Sequence, residues 1–330
     1  MTDSAKNRSP SSNLPLTELI ETACVMEVMS PKPGNVSPGL EFADATLDDF
    51  LNSARAIAPV LAAAAERSLG ETILRAVAAT RAVVDHNTNL GIILLLAPLA
   101  KIPRNRSLKD GISDVLSETT LQDSRLVYEA IRLAQPGGLG ETSEQDLNDE
   151  PSLCLLECMK LAAERDMIAA EYANGFQEVL TSGQDWLREA AAITPSQPQQ
   201  ISLLAVRLLA EFGDSLIARK CGRSLSDVVR EKARRLLDIG WPMRHDTQQE
   251  FTAFDVFLRE HGNRRNPGTT ADLIAAILFA ALREGLLIPE GDWIAGNFSI
   301  VDPSLRRRAN AVPVGGATGL RYSDGPEQTP

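Results

Sequence analysis

Apolar residues recur at the spacing of an α-helix through almost all of this 330-residue chain. Because a helix turns once in about 3.6 residues, side chains three or four positions apart share a face, which such a chain buries against other helices. No segment before residue 290 alternates convincingly between apolar and polar residues, as a half-buried β-strand would. The pattern therefore predicts an all-α fold, a single-domain multi-helix bundle.

Capping and stop residues divide this pattern into a series of predicted helices. One covers the alanine-rich residues 153–180 and another covers residues 201–220. The aromatic content of only 5% agrees with helices, since strands favour β-branched and aromatic residues. The other predicted helices span residues 16–29, 47–66, 71–84, 90–99, 108–117, 121–134, 185–192, 225–239, 248–260 and 271–284.

The two ends of the chain lack helical periodicity. Residues 1–13 are polar and have no apolar core, so they are predicted to form a disordered tail and not a signal peptide. Over residues 286–330 the periodicity weakens, three arginines stand together at 306–308, and the chain ends in a stretch rich in Gly and Pro. We predict an all-helical catalytic domain over residues 14–285 and a loosely attached, irregular C-terminal extension.

Charge and composition exclude several classes of protein. The net charge of −11 argues against a general nucleic-acid binder, which needs a basic face. It leaves a nucleotide site open, because Mg²⁺ mediates between carboxylates and phosphates. The longest apolar run, residues 90–100, contains a proline and is too short to cross a bilayer. Four scattered cysteines and three histidines complete no zinc set, so we expect free thiols in a cytoplasmic protein that binds small molecules.

Two turns near the ends of the chain have the composition of a phosphate site. Residues 30–36 read Ser-Pro-Lys-Pro-Gly-Asn-Val, and two prolines fix the turn that presents Lys32. Taken alone, this turn fits a helix stop with a solvated lysine equally well. Residues 266–273 read Asn-Pro-Gly-Thr-Thr-Ala-Asp-Leu and lead directly into an apolar helix. Because the first N–H groups of a helix lack partners within it, Thr269 and Thr270 stand where a phosphate would bind.

Four further polar segments interrupt the helical pattern. Residues 85–91, Asp-His-Asn-Thr-Asn-Leu-Gly, fit a helix cap and an anion or ribose site equally well. Residues 137–141, Gly-Gly-Leu-Gly-Glu, match no phosphate-loop fingerprint and favour a flexible loop. The charges of residues 164–166 are typical of exposed salt-bridge partners. In residues 212–220, Asp214 lies among apolar residues and needs either an internal ion pair or a metal ion.

In their order along the chain, these segments resemble the motifs of the triphosphoribosyl-dephospho-coenzyme A synthase family. That family shows a Pro-Lys-Pro-Gly turn, Asn-Thr-x-x-Gly, Gly-x-x-Glu, an Asp-Ser or Asp-Thr segment followed by Arg, and a Pro-Gly-x-x-Ala-Asp-Leu helix start. The matching positions here are residues 31–34, 87–91, 138–141, 214–219 and 267–273. The order of five short motifs, across roughly residues 18–285, makes the resemblance specific.

The resemblance implies an all-helical transferase that uses ATP as a ribosyl donor. In the family, the 2′-hydroxyl of dephospho-coenzyme A attacks the anomeric carbon of the ATP ribose, adenine leaves, and the triphosphate stays on the transferred ribose. Breaking a ribose-to-base bond passes through an oxocarbenium-like state, which needs carboxylates near the sugar and an acid near the base.

The resemblance also implies roles for particular residues. Asp214 and Asp272 become ligands of Mg²⁺ or of the ribose, and either Glu141 or Asp44 becomes the catalytic base. The implied nucleotide- and phosphate-binding residues are Lys32, Gly34, Asn35, Asn87, Thr88, Gly91, Arg219, Lys220, Gly268, Thr269 and Thr270.

Three departures from the family's motifs leave the acceptor open. Residues 39–44 lack a histidine that the family commonly carries, Asn89 and Leu90 stand in place of a His-Lys pair, and residues 268–270 read Gly-Thr-Thr in place of Gly-Gly-Ser. This variant pattern resembles a divergent branch found in methanogens and in bacteria that use tetrahydromethanopterin. The acceptor is then dephospho-coenzyme A or a pterin precursor. A nucleotide-binding regulatory protein and a structural scaffold are the alternatives to an enzyme, and an exposed apolar helix face would support a homodimer.

Overall fold

The computed structural model describes residues 14–137, 145–290 and residue 293. These residues form fourteen α-helices and no β-strand, apart from two isolated β-bridges within residues 37–45. The predicted all-α class is confirmed. No helix in the described part of the chain is both long enough and apolar enough to cross a membrane.

Most of the helices follow one another closely, and the longest connections lie between α1 and α2 and between α6 and α7. Their bounds are α1 (Leu16–Met29), α2 (Leu47–Ala62), α3 (Leu69–Arg81), α4 (Leu90–Lys101), α5 (Leu108–Ser117), α6 (Leu121–Ala134), α7 (Leu155–Ala162), α8 (Met167–Asn174), α9 (Gly183–Ile193), α10 (Gln197–Phe212), α11 (Ser215–Cys221), α12 (Arg223–Asp238), α13 (Gln248–Arg259) and α14 (Gly268–Glu284). A π-helical turn, Glu178–Ser182, leads into α9, and 3₁₀ turns follow α2 and precede α13.

Helices α4 and α14 form the centre of the largest apolar core. Every residue of α4 from Leu90 to Ala100 is buried, and so is every residue of α14 from Leu273 to Arg283. The two helices pack against each other, and α1 packs against α14. A helix that is apolar on all sides is stable only inside a bundle, which explains why the most apolar segments of the sequence lie here.

The single predicted helices over residues 153–180 and over residues 201–220 are wrong, because polar caps or glycine break each of them. Asp166 accepts hydrogen bonds from the N–H groups of Ile168 and Ala169 and so begins α8 within the predicted helix over residues 153–180. In the predicted helix over residues 201–220, Gly213 has a φ of +69° and ends α10, and Asp214 begins α11. Aspartate at an N-cap and glycine at positive φ are strong stop signals, and here they prevail over continuous apolar periodicity.

The start of the predicted C-terminal extension packs against the bundle. Leu287 is buried, the side-chain amide of Gln197 donates to the carbonyl of Ile288 at 2.7 Å, and the N–H of Glu290 donates back to Gln197 at 3.0 Å. The predicted tail over residues 1–13 and most of the predicted extension lie outside the described residues. Their assignment stays a prediction.

Candidate active site

A cavity of about 790 Å³ opens where helices from distant parts of the chain begin or end. It lies among the C-terminal end of α1, the first turns of α4, α8 and α14, and the end of α11. Helices α6 and α7 supply its apolar wall. A volume of this size is typical of sites that enclose a cofactor-sized ligand.

The first and last predicted motifs meet at this cavity. The side-chain amide of Asn35 donates to the carbonyl of Pro267 at 3.3 Å, which joins the turn after α1 to the start of α14. Gly34 lies behind this contact: its φ is +75°, and its N–H donates to Asp255 at 2.7 Å. Asn35 and Gly268 line the cavity, whereas Gly34 shapes the turn beneath them.

Asp272, in the second turn of α14, is the carboxylate with the fewest partners at this site. It lines the cavity and accepts no hydrogen bond from any residue that the structure describes. It lies against Gly91, where a Cβ atom would come within 2.0 Å of Asp272 Oδ2. Burial raises the pKa of Asp272 well above its ordinary value, and the nearby carboxylates of Glu27, Asp214 and Asp166 raise it further, against the opposing effect of Arg219.

Glu27, near the end of α1, is a second carboxylate in the cavity wall, and the sequence analysis did not assign it to the site. Its Oε1 lies 3.0 Å from the ammonium group of Lys32, and both side chains are almost fully buried. Lys32 also donates to the carbonyls of Glu27 and Ser30. A lone charged residue in the apolar run Val-Met-Glu-Val-Met was the sequence signal for this pair.

These contacts correct the prediction for Lys32. A lysine ammonium has three N–H donors, and all three are directed to Glu27 and Ser30, so none is left for a phosphate. Lys32 does not line the cavity. It fixes the end of α1 and holds the carboxylate of Glu27 in the cavity wall.

The contacts of Asp214 also differ from the role predicted for it. Its Oδ1 accepts the N–H of Ile217 at 3.0 Å, and its Oδ2 accepts both the N–H and the hydroxyl of Thr270 at 2.8 Å. The side chain is buried and does not line the cavity. Asp214 therefore caps α11 and ties it to α14, and Thr270 has no donor free for phosphate.

Asp214 and Asp272 therefore do not face the cavity together, as a metal ion shared between them there would require. Within the described ranges, no three or more His, Cys, Asp and Glu side chains are grouped so that they could hold a metal ion. Of the two predicted ligands, Asp272 alone faces the cavity.

Three cationic side chains line the side of the cavity formed by α11 and the start of α8. Arg219 pairs with the carboxylate of Asp166 and contacts Ser215 Oγ at 3.4 Å. Lys220 is half-buried, burial lowers its pKa, and it makes no ion pair with the residues described. Arg165 also lines the cavity; it is exposed, as the sequence indicated, but it makes no ion pair with the residues described.

Two helix starts, those of α4 and α14, line the same cavity. Asn87 accepts the N–H of Leu90 at 3.1 Å, and Thr88 shares a hydrogen bond of 2.6 Å with Ser53. The N–H groups of Gly91 and Ile92 make no hydrogen bond within the described part of the chain, as is usual in a first helical turn. At the start of α14, Thr269 lines the cavity, and its hydroxyl bonds to Ser215 at 3.1 Å.

The two residues proposed from the sequence as the base have different positions. Asp44 is exposed at the edge of the cavity and accepts a hydrogen bond of 2.7 Å from Asn263. Glu141 lies outside the described residues, between the cavity-lining segments 135–137 and 145–147. Both assignments stay predictions.

The remaining wall is apolar and is formed by α6 and α7. Tyr128 is almost fully buried there, and its hydroxyl donates to the carbonyl of Gln145 at 2.8 Å. A wall of this kind suits a flat heterocycle or an aliphatic arm. Its apolar lining residues are Val127, Ile131, Leu155, Met159 and Leu161.

Comparison with known proteins identifies the family of the chain. The family model of the ATP:dephospho-CoA triphosphoribosyl transferases matches residues 14–289. A crystal structure from Archaeoglobus fulgidus, provisionally named a triphosphoribosyl-dephospho-coA synthase, superposes with a TM-score of 0.56 at 28% identity, covering 71% of this chain and 99% of that one. A search of curated proteins gave no match. Because the family model covers most of the chain, the resemblance is confirmed, and the chain belongs to the ATP:dephospho-CoA triphosphoribosyl transferase family.

Proposed function

We propose that this chain transfers the triphosphoribosyl group of ATP to a hydroxyl group of dephospho-coenzyme A and releases adenine. One observation carries the proposal: a single cavity combines the cations Arg219 and Lys220 with a carboxylate, Asp272, that accepts no hydrogen bond from the described residues. A triphosphate needs the cations, and the acceptor hydroxyl needs a carboxylate that takes up its proton.

The substrate that enters is MgATP, which brings its own metal ion on the triphosphate. Lys220 and Arg165 are free of ion pairs among the described residues and would bind phosphate oxygens as charge-assisted donors. The open N–H groups at the start of α4 would add dipolar attraction. Opposite them, the apolar wall of α6 and α7 would receive a base or the pantetheine arm of the acceptor.

The reaction exchanges one bond for another at the anomeric carbon. The bond from this carbon to adenine breaks, and its electron pair leaves with the base, which takes up a proton. The acceptor oxygen forms the new bond and loses its proton to a base. Asp272 suits that role, because burial beside other carboxylates raises its pKa towards the range in which a general base works best.

A pterin precursor is the second candidate acceptor. The observation that favours it is the pair Asn89 and Leu90, which stands where the family commonly carries His-Lys and removes cationic contacts from the start of α4.

The two acceptors are distinguished by incubating the protein with MgATP and either dephospho-coenzyme A or a pterin fraction, and by measuring adenine chromatographically. Adenine with dephospho-coenzyme A is the expected result. Release of adenine only with the pterin fraction would identify a pterin precursor as the acceptor. Binding of ATP without release of adenine would support a regulatory protein.

Replacing Lys220 with methionine is expected to raise the KM for ATP about tenfold while changing kcat little. A tenfold change corresponds to the loss of one charge-assisted hydrogen bond. The triphosphate remains on the transferred group, so its contacts are the same before and during the reaction, and losing one weakens binding uniformly. Initial rates at varied ATP test this. The control is Lys160→Met, which removes an exposed lysine paired with Glu157 on α7. An unchanged KM in Lys220→Met would place the triphosphate elsewhere.

Replacing Gly91 with alanine is expected to lower kcat/KM by at least about tenfold. The new Cβ would overlap Asp272 Oδ2, at 2.0 Å, and would force the carboxylate to move. The matched control is Gly111→Ala, where the Cβ would meet Ile102 Cγ2 at 2.5 Å, away from the cavity. Gly111→Ala should lower stability but not kcat/KM. If both variants lose activity in proportion to stability, the contact with Asp272 has no specific role.

A further inference from the structure

We propose that Glu27 is a catalytic carboxylate of this site, which is paired with Lys32 and stabilises the positive charge that develops on the ribose as adenine leaves. The inference deepens the proposed function and rests on it. It assigns to Glu27 a role distinct from that of Asp272, which accepts the proton of the acceptor hydroxyl.

The position of Glu27 is the first argument. Of the two members of the buried pair, Glu27 lines the cavity and Lys32 does not. The Glu27 end of the pair therefore borders the space into which the substrate must enter. Asp272 lines the same cavity from α14, the helix against which α1 packs.

The contrast between the two carboxylates is the second argument. Glu27 has a cation at 3.0 Å, whereas Asp272 has no hydrogen-bond partner among the residues described. Burial raises the pKa of Glu27, and the charge and hydrogen bond of Lys32 act against this rise, whereas at Asp272 neighbouring carboxylates add to the raising effect of burial. A carboxylate with a cation beside it and a carboxylate among other carboxylates are suited to different tasks, the first as a fixed charge and the second as a proton acceptor.

The anchoring of Glu27 is the third argument. Lys32 is fixed by the carbonyls of Glu27 and Ser30 as well as by the carboxylate, so the anion is held in place before the substrate arrives. Electrostatic stabilisation is most effective from charges that need not reorganise during the reaction. In this step Glu27 forms no bond and takes up no proton; it offsets the charge on the sugar until the acceptor oxygen bonds to the anomeric carbon.

Binding of two inert ribose analogues tests the proposal without turnover. One is an iminoribitol 5-triphosphate, whose ring nitrogen carries a positive charge. The other is the 1-deoxyribose 5-triphosphate, whose ring oxygen is neutral. The expected result is that the wild-type protein prefers the cation by about 100-fold, since analogues of a charged transition state bind more tightly than those of the ground state. Glu27→Gln should lose most of that preference and keep its affinity for the neutral analogue.

The matched control is Glu21→Gln, which neutralises a carboxylate on the same helix that pairs with Arg55 and does not line the cavity. It should keep the full preference. Because Glu27→Gln leaves Lys32 buried with a weaker partner, a second variant combines it with Lys32→Met and removes both charges, which proteins tolerate better than one unpaired charge. The double variant should lose the preference in the same way.

The outcomes separate this inference from the proposed function. A wild-type preference that persists in Glu27→Gln and in the double variant would overturn the inference and leave the proposed function standing. Equal affinity of the wild-type protein for both analogues would also overturn it. If the wild-type protein binds neither triphosphate, the proposed function fails and the role of Glu27 fails with it.

Discussion

Replacing Asp272 with asparagine is expected to lower the rate of adenine release about 10³-fold and, at the same time, to stabilise the fold. The activity falls because asparagine cannot accept the proton of the acceptor hydroxyl, a role worth about 10²–10⁴-fold in rate. The fold gains because the wild-type carboxylate is held without a hydrogen bond from the described residues, near other buried carboxylates. A gain of about 1–2 kcal/mol in the free energy of unfolding is typical when a strained functional group is neutralised.

The stabilisation expected from Asp272→Asn depends on pH. Burial first, and then Glu27, Asp214 and Asp166, raise the pKa of Asp272 above its ordinary value of 3.8. The folded protein therefore binds this proton more tightly than the unfolded chain does. The stability that the group contributes is full below the unfolded pKa and is lost as the pH rises through the folded pKa. Asp272→Asn should remove this loss, so the variant gains most at neutral pH and above.

Urea denaturation at several pH values, together with adenine release, measures both effects. The control is Asp238→Asn, which changes an exposed carboxylate at the end of α12 and should alter neither quantity. A destabilised Asp272→Asn variant would show that the carboxylate has a structural partner in the native protein, and full activity would exclude it as the base.

Replacing Asp214 with alanine is expected to have the opposite effect on stability, a loss of about 3 kcal/mol or more. The change leaves the N–H of Ile217 and both the N–H and the hydroxyl of Thr270 buried without their acceptor. It also separates the start of α11 from the start of α14. Burial raises the pKa of Asp214, while its hydrogen bonds from Ile217 and Thr270 act against this shift, so the carboxylate is held by its donors.

Denaturation of Asp214→Ala beside Ser107→Ala measures the effect. Ser107 caps α5 by accepting only the N–H of Asp110, at 3.1 Å, so its loss should cost about 1 kcal/mol. Asp214→Asn keeps one acceptor oxygen and should fall between the two. If Asp214→Ala folds as stably as the wild-type protein but no longer binds ATP, Asp214 acts on the nucleotide, as the sequence analysis expected.

The sequence predicted the fold well where helices begin at caps that follow clear breaks. Helices α1, α5 and α6 have the predicted bounds, because prolines or Ser and Thr caps flank periodic segments. It failed at Asp166 and Gly213, where apolar periodicity continues on both sides of a break. The spacing of apolar residues shows which face of a helix is buried. When two successive helices pack on the same core, this spacing can continue unchanged across the turn between them.

The site was predicted in outline and not in the roles of its charged residues. The motifs identified three segments that line one cavity in the structure: the turn after α1, the start of α4 and the start of α14. Whether a charged side chain faces that cavity or the interior depends on tertiary partners. Lys32 turned towards Glu27, and Asp214 turned towards Thr270. Glu27 and Arg165 line the cavity although neither belongs to a recognised motif.

The fate of two labels in ATP tests the central claim most directly. ATP labelled with ³²P in the γ-phosphate and with ¹⁴C in the ribose is incubated with the protein, Mg²⁺ and dephospho-coenzyme A, and the acceptor is then isolated. Triphosphoribosyl transfer predicts that both labels reach the acceptor in equal amounts, with one adenine released for each. Transfer of ³²P alone, with ADP formed and no adenine, would show phosphoryl transfer and would contradict the account.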